Sequence, residues 1–187
     1  MNQKILVYPI QYTSRKDIIK LKPIMDIHKG SRTCDMRAFK AFIADRDDKT
    51  YFFTNGDLWD AIYFNDKRFK PSGHDKADED DAIDTEVAEM VEILSPIKDR
   101  LICVGHSNHE ETILKSCHTN MSKRLADALG VSYQGYSFWF RLILSCDGGR
   151  RSLIAAALRF QAGGWRSEQR PQPDRTRGQA RNAMFVR

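Results

Sequence analysis

Apolar residues in this chain gather in short runs, and the spacing within each run switches between the two-residue period of strands and the longer period of helices. Lys4 to Ile10 alternates loosely and predicts an edge strand. Ile18 to Met25 predicts a second strand, in which Pro23, having no N–H to donate, must lie at an edge or at the strand's end. Between Cys34 and Ala44, Met36, Phe39, Ala41 and Phe42 recur at helical spacing, with Asp35 placing negative charge near the helix start. Tyr51-Phe52-Phe53-Thr54 is a short aromatic strand that runs into the turn signal Asn55-Gly56.

The same alternation continues downstream. Asn65 to Asp81 is dense in charge around Pro71-Ser72-Gly73 and reads as an exposed loop. Ala82 to Leu94 predicts an amphipathic helix with Ile83, Val87, Met90, Val91 and Leu94 on one face, and Pro96 lies just past its end. Leu101 to Val104 is a buried strand, Glu110 to Leu129 a helix closing on Gly130, and Phe138 to Leu144 an alternating strand. This order of strands and helices argues for an α/β layered domain with parallel pairing in its first half.

Beyond Cys146 the pattern fades. Leu153 to Phe160 could make one short helix, but Ala162 to Arg181 has too little apolar content to pack. The expected organisation is therefore a domain over residues 1–147 and an arginine-rich tail over 148–187, either disordered or translated out of frame. The charge divides at the same place. Residues 148–187 carry nine arginines against Glu168 and Asp174, a net +7, which leaves −2 for the body of a chain whose total is +5. A polyanion-binding argument thus applies to the tail alone.

The length of 187 residues suits one domain that buries a core without disulfides, and 41% hydrophobic with 29% charged residues is ordinary globular composition. No stretch approaches the roughly 20 apolar residues of a membrane span, and the N-terminus lacks signal-peptide character, so a cytoplasmic protein without a membrane partner is expected. The four cysteines, Cys34, Cys103, Cys117 and Cys146, are widely spaced and read as reduced thiols. A zinc site could be assembled from Cys103, His106, Cys117 and His118, although paired Cys-x-x-Cys spacing is missing.

Three polar clusters follow apolar runs in order: Asp26-Ile27-His28, Gly56-Asp57-Leu58-Trp59-Asp60 and Asn108-His109-Glu110. Residues i and i+2 of a strand point the same way, so Asp26 and His28 can converge on one ion, and a carboxylate with an imidazole suits Mn, Fe or Zn. Asp57 has two oxygens and could bridge two ions, Asn108 offers an amide oxygen, and His109 could donate a proton to a leaving group. Each residue also has a plainer role: Asp26 capping a turn, Asp57 within a turn, Asn108 capping a helix. Their shared place at the carboxyl ends of strands, where open α/β sheets collect ligands, favours the joint functional reading. Lys67 and Arg68 could meet a phosphate at the mouth of such a site, and Trp59, Tyr63 and Phe64 could stack on a base, although a solvated loop and core packing are the plainer readings.

These residues resemble the calcineurin-like metallophosphoesterase family, whose pattern runs D-x-H, G-D-x-x-D, G-N-H-[E/D], then a later histidine and G-H-x-H. The likeness covers about Ile18 to Leu144, with the third motif standing as Gly105-His106-Ser107-Asn108-His109-Glu110-Glu111 and Ser107 in a glycine's place. It implies a β-sandwich flanked by helices, incomplete at its C-terminus, and two divalent metal ions, Mn, Fe or Zn. By the same resemblance Asp26 and His28 hold the first ion, Asp57 bridges, Asn108 binds the second, His109 assists the leaving group and Asp60 orients its neighbours. The implied reaction is in-line attack by metal-activated water on a phosphate mono- or diester, with nucleic acid as one substrate class. His28, His74, His106, His109 and His118 are the only histidines, so the family's later ligands are absent and impaired activity is expected. The alternative is a non-catalytic module that binds nucleic acid through the arginine tail. Oligomeric state is not legible.

Overall fold

The computed structural model describes residues 5–14, 16–61, 81–146, 152–161 and 184–186. Among them, strands β1 (Leu6–Tyr12), β2 (Ile19–Ile24), β3 (Thr50–Asn55), β4 (Leu101–Gly105), β5 (Ser132–Gly135), β6 (Ser137–Cys146), β7 (Ser152–Gln161) and β8 (Met184–Val186) form two sheets. The larger has the order β5-β4-β3-β2-β8, the smaller β1-β6-β7. Pairing is parallel from β2 through β5 and between β1 and β6, and antiparallel where β8 joins β2 and β7 joins β6. Helices α1 (Met36–Ala44), α2 (Ala82–Leu94), α3 (Asn108–Cys117) and α4 (Met121–Leu129) supply the α layer. The chain is thus a mixed α/β protein with a largely parallel main sheet.

Alternation of side chains along β2, β3 and β4 creates two cores. Leu21, Phe53, Ile102 and Cys103 pack with Ile10 of β1 and with Phe138, Phe140, Leu142 and Leu144 of β6, filling the space between the sheets. On the opposite face Ile24, Phe52, Leu101 and Val104 meet Phe39 and Ile43 of α1, Met90 and Leu94 of α2, Ile113 of α3 and Leu125 of α4. Two consecutive residues, Ile102 and Cys103, join the same core because the β3–β4 register shifts between Phe52 and Thr54. A bulge of this kind locally breaks the two-residue period.

Several expectations change. The predicted helix over Glu110 to Leu129 is two helices, broken where His118 adopts a left-handed φ of 53° and Asn120 caps α4 by accepting from Lys123 N at 2.8 Å. The N-cap of α3 is Ser107 rather than Asn108, which is the first helical residue. Leu153 to Phe160, read as a helix, lies in β7, because pairing along the length of β6 outweighs the helical preference of its alanines. Pro23 lies in a strand flanked on both sides, yet β8 covers only Ile19 to Leu21, so Pro23 is beyond the doubly paired stretch. No helix among the described residues is long and apolar enough to cross a membrane.

Candidate metal centre

The parallel strands β2 and β3 deliver the first two clusters side by side. After β2 and β3 end, the two loops bind each other through their backbones: Ile27 N and His28 N donate to Asp57 O at 2.8 and 3.0 Å, Lys29 N to Leu58 O, and Asp60 N to Lys29 O. This ladder places Asp26, His28 and Asp57 so that their donor atoms lie within 4.8 Å of one another. A second group, His28, Asp60 and His109, meets the same limit and shares His28. Among the described residues these are the groups of three or more His, Cys, Asp and Glu side chains with such spacing, and neither contains a cysteine.

Of the five non-glycine residues with positive φ among the described residues, three belong to the first donor group. Asp26, His28 and Asp57 all have positive φ, at 55°, 51° and 52°, a region that costs non-glycine residues energy and that gathers at functional sites. Gly56 precedes Asp57 with φ 92°, and a Cβ there would stand 2.2 Å from Ser107 N. The absence of a side chain therefore lets the loop after β3 touch the loop after β4.

The third cluster is fastened by residues that its motif alone does not advertise. Glu110, 2% exposed, accepts from Asp57 N at 3.1 Å, Leu58 N at 2.8 Å and Ser107 N at 3.0 Å. Ser107, fully buried, donates its hydroxyl to Asp57 Oδ1 and accepts from Asp57 N at 3.0 Å. Its φ of −127° is one that any residue adopts, so serine in place of glycine does not crowd the turn and instead grips Asp57. The Ser-x-x-Glu spacing of a helix-capping box was the available sequence signal.

His109 and Asp60 come together as a pair. His109 Nδ1 donates to the Asp60 carbonyl, while Asp60 Oδ1 lies 3.5 Å from His28 Nδ1 and the two imidazoles meet edge-on with centroids 4.7 Å apart. Asn108 is exposed at the start of α3, where its backbone carbonyl accepts from the Thr112 hydroxyl. Lys67, Arg68, Tyr63, Phe64 and His74 lie outside the described residues.

Neighbouring groups are committed elsewhere. His106 is stacked on Tyr133, whose hydroxyl meets its Nδ1 at 2.5 Å while Glu111 Oε2 meets its Nε2 at 3.0 Å, and Asn120 donates to that same hydroxyl. Cys103 faces the inter-sheet core, where burial pushes its thiol up to about 12. Neither is arranged with Cys117 and His118 as the four-residue zinc reading requires. Beside the centre, Lys29 is held by Glu86 and Glu89, both at 2.5 Å, and Trp59 Nε1 donates to the Glu86 carbonyl. A cavity of about 290 Å³ opens between the end of β2 and α1, with Asp26 on its wall beside Ile24, Phe39 and Phe42.

The donor set fits a transition cation. Two carboxylates and an imidazole, converging at the carboxyl ends of adjacent parallel strands, are oxygen and nitrogen ligands of the kind Mn, Fe and Zn accept. Comparison with protein-family models, with curated proteins and with solved structures found no match to this chain.

Proposed function

We propose that this protein is a metal-dependent phosphoesterase whose activity is impaired by an incomplete second ion position. The convergence of Asp26, His28 and Asp57 within 4.8 Å carries this reading, supported by their shared left-handed backbone. When bound, a cation there supplies Lewis-acid activation of water and of the phosphoryl oxygen. Asp26, His28 and Asp57 would hold it. Asp60 fixes His109 by accepting from Nδ1–H through its carbonyl, and in the doubly protonated ring His109 Nε2 would pass its proton to a leaving oxygen. The cavity beside Asp26 would receive the organic part of the ester.

Impairment follows from the donor count. Asn108 is exposed, and His118 is the last of the five histidines of this sequence, which leaves the ligand set of a second ion short. The test is a manganese titration with a generic aryl phosphodiester, together with metal analysis of wild-type and Asp57→Asn protein. Weak turnover that saturates only at high manganese, and metal lost in the variant, are expected. Equal manganese content in both proteins would sink the assignment, whereas robust turnover at low micromolar manganese would sink the impairment. The alternative, nucleic-acid binding through the arginine-rich tail of residues 148–187, falls mostly on residues outside the described set, 148–151, 162–183 and 187.

A further inference from the structure

The two overlapping donor groups differ in chemical hardness. Asp26, His28 and Asp57 present two carboxylates and one imidazole, whereas His28, Asp60 and His109 present two imidazoles and one carboxylate. Carboxylate-rich sites favour manganese and magnesium, and imidazole-rich sites favour zinc. Both groups need His28.

His109 is prepared for ligation in a way that a proton donor does not require. Its Nδ1–H is spent on the Asp60 carbonyl, so in the neutral ring Nε2 carries the lone pair. Metal-bound histidines are commonly held in one tautomer by just such a bond to a backbone carbonyl. Asp60 has its carboxylate 3.5 Å from His28 Nδ1, and the His28 and His109 rings meet edge-on at 4.7 Å. The residues that the resemblance casts as acid and orienting group thus form a donor set themselves.

We propose that zinc occupies His28, Asp60 and His109 while manganese occupies Asp26, His28 and Asp57, and that the two ions exclude each other through His28. Zinc would then inhibit the manganese-dependent reaction by withdrawing a ligand and by engaging His109. The proposal rests on the metal-centre reading above, but its test needs no turnover.

Metal-free full-length protein is titrated by calorimetry with zinc alone and with manganese alone, and manganese release on adding zinc is followed by electron paramagnetic resonance. His109→Ala should weaken zinc by about tenfold or more and leave manganese unchanged. Asp57→Asn should do the reverse, His28→Ala should weaken both, and zinc should displace bound manganese mole for mole. Retained manganese affinity in His109→Ala reports that the site is still folded, and Asp60→Asn must repeat the same split. Zinc affinity indifferent to both His109→Ala and Asp60→Asn, or simultaneous binding of both ions, overturns the proposal while leaving the manganese site standing. Failure of wild-type protein to bind either ion removes the phosphoesterase reading as well.

Discussion

Gly56 is the residue on which the centre closes. A Cβ at this position would stand 2.2 Å from Ser107 N and 2.5 Å from the His106 carbonyl carbon, and both contacts are backbone, so no side chain can swing aside. Its φ of 92° adds strain for any other residue. We expect Gly56→Ala to cost on the order of 3 kcal/mol in urea unfolding, from overpacking and left-handed strain together. Metal affinity should fall in the same variant, because Asp57 follows Gly56 directly. A variant as stable as wild type would show that the loops after β3 and β4 can separate without loss. Ser107 works at the same scale: its hydroxyl ties Asp57 to the start of α3.

Paired charges tie successive elements together, and acid should loosen them. Lys49 holds the Asp17 carboxylate at 2.6 Å, lowering it to about 2, and Lys20 does the same to Asp47 at 2.6 Å with help from the Thr50 hydroxyl. Together these pairs join the β1–β2 turn, β2 and the α1–β3 turn. Each carboxyl is depressed in the folded state from an ordinary 3.8, so their stabilisation is complete above about pH 4 and is lost as pH falls toward about 2. Thermal melts between pH 5 and 2 should therefore fall more steeply for wild type than for an Asp17→Asn, Asp47→Asn double variant. Parallel curves would mean that these surface pairs contribute nothing measurable. Lys22 makes a related tie deeper in, donating to the Phe42 carbonyl at 3.1 Å near the C-terminus of α1 and to Asp45 Oδ2 at 2.9 Å.

At the scale of the whole molecule, the arginine-rich segment contributes strands to both sheets. β7 pairs with β6 from Ser137 to Ser145, and β8 adds an antiparallel edge to β2. Removing residues 147–187 would leave β6 with an open edge while Phe138, Phe140, Leu142 and Leu144 keep their places against the main sheet. Unpaired edges of this kind template association. The truncated chain should show earlier urea unfolding and concentration-dependent light scattering, and a monomer as stable as full-length protein would show that β7 and β8 are dispensable to the fold.

Pattern along the chain was enough for the strands β1 to β4 and β6, for helices α1 and α2, and for the parallel pairing of an α/β layer, because these elements bury one face and the period of burial is written locally. The candidate ligands Asp26, His28 and Asp57 stand within four residues of a strand end, and left-handed turns and backbone bonds between the two loops bring them together. What lay between elements was not legible in the pattern. His118 in a left-handed conformation divides one apolar period into two helices, and the pairing energy of β6 turns an alanine-rich stretch into β7. The fastening of Asp57 by Ser107 and Glu110, 50 and 53 residues away, depends on two loops meeting across the ends of neighbouring strands. So does the second donor group of His28, Asp60 and His109. Sequence by itself determined which residues offer metal-ligating side chains and that they stand in the loops that follow β2 and β3. Only the tertiary structure decided which of these side chains lie within 4.8 Å of one another, because that convergence depends on contacts between chain segments that no local period encodes.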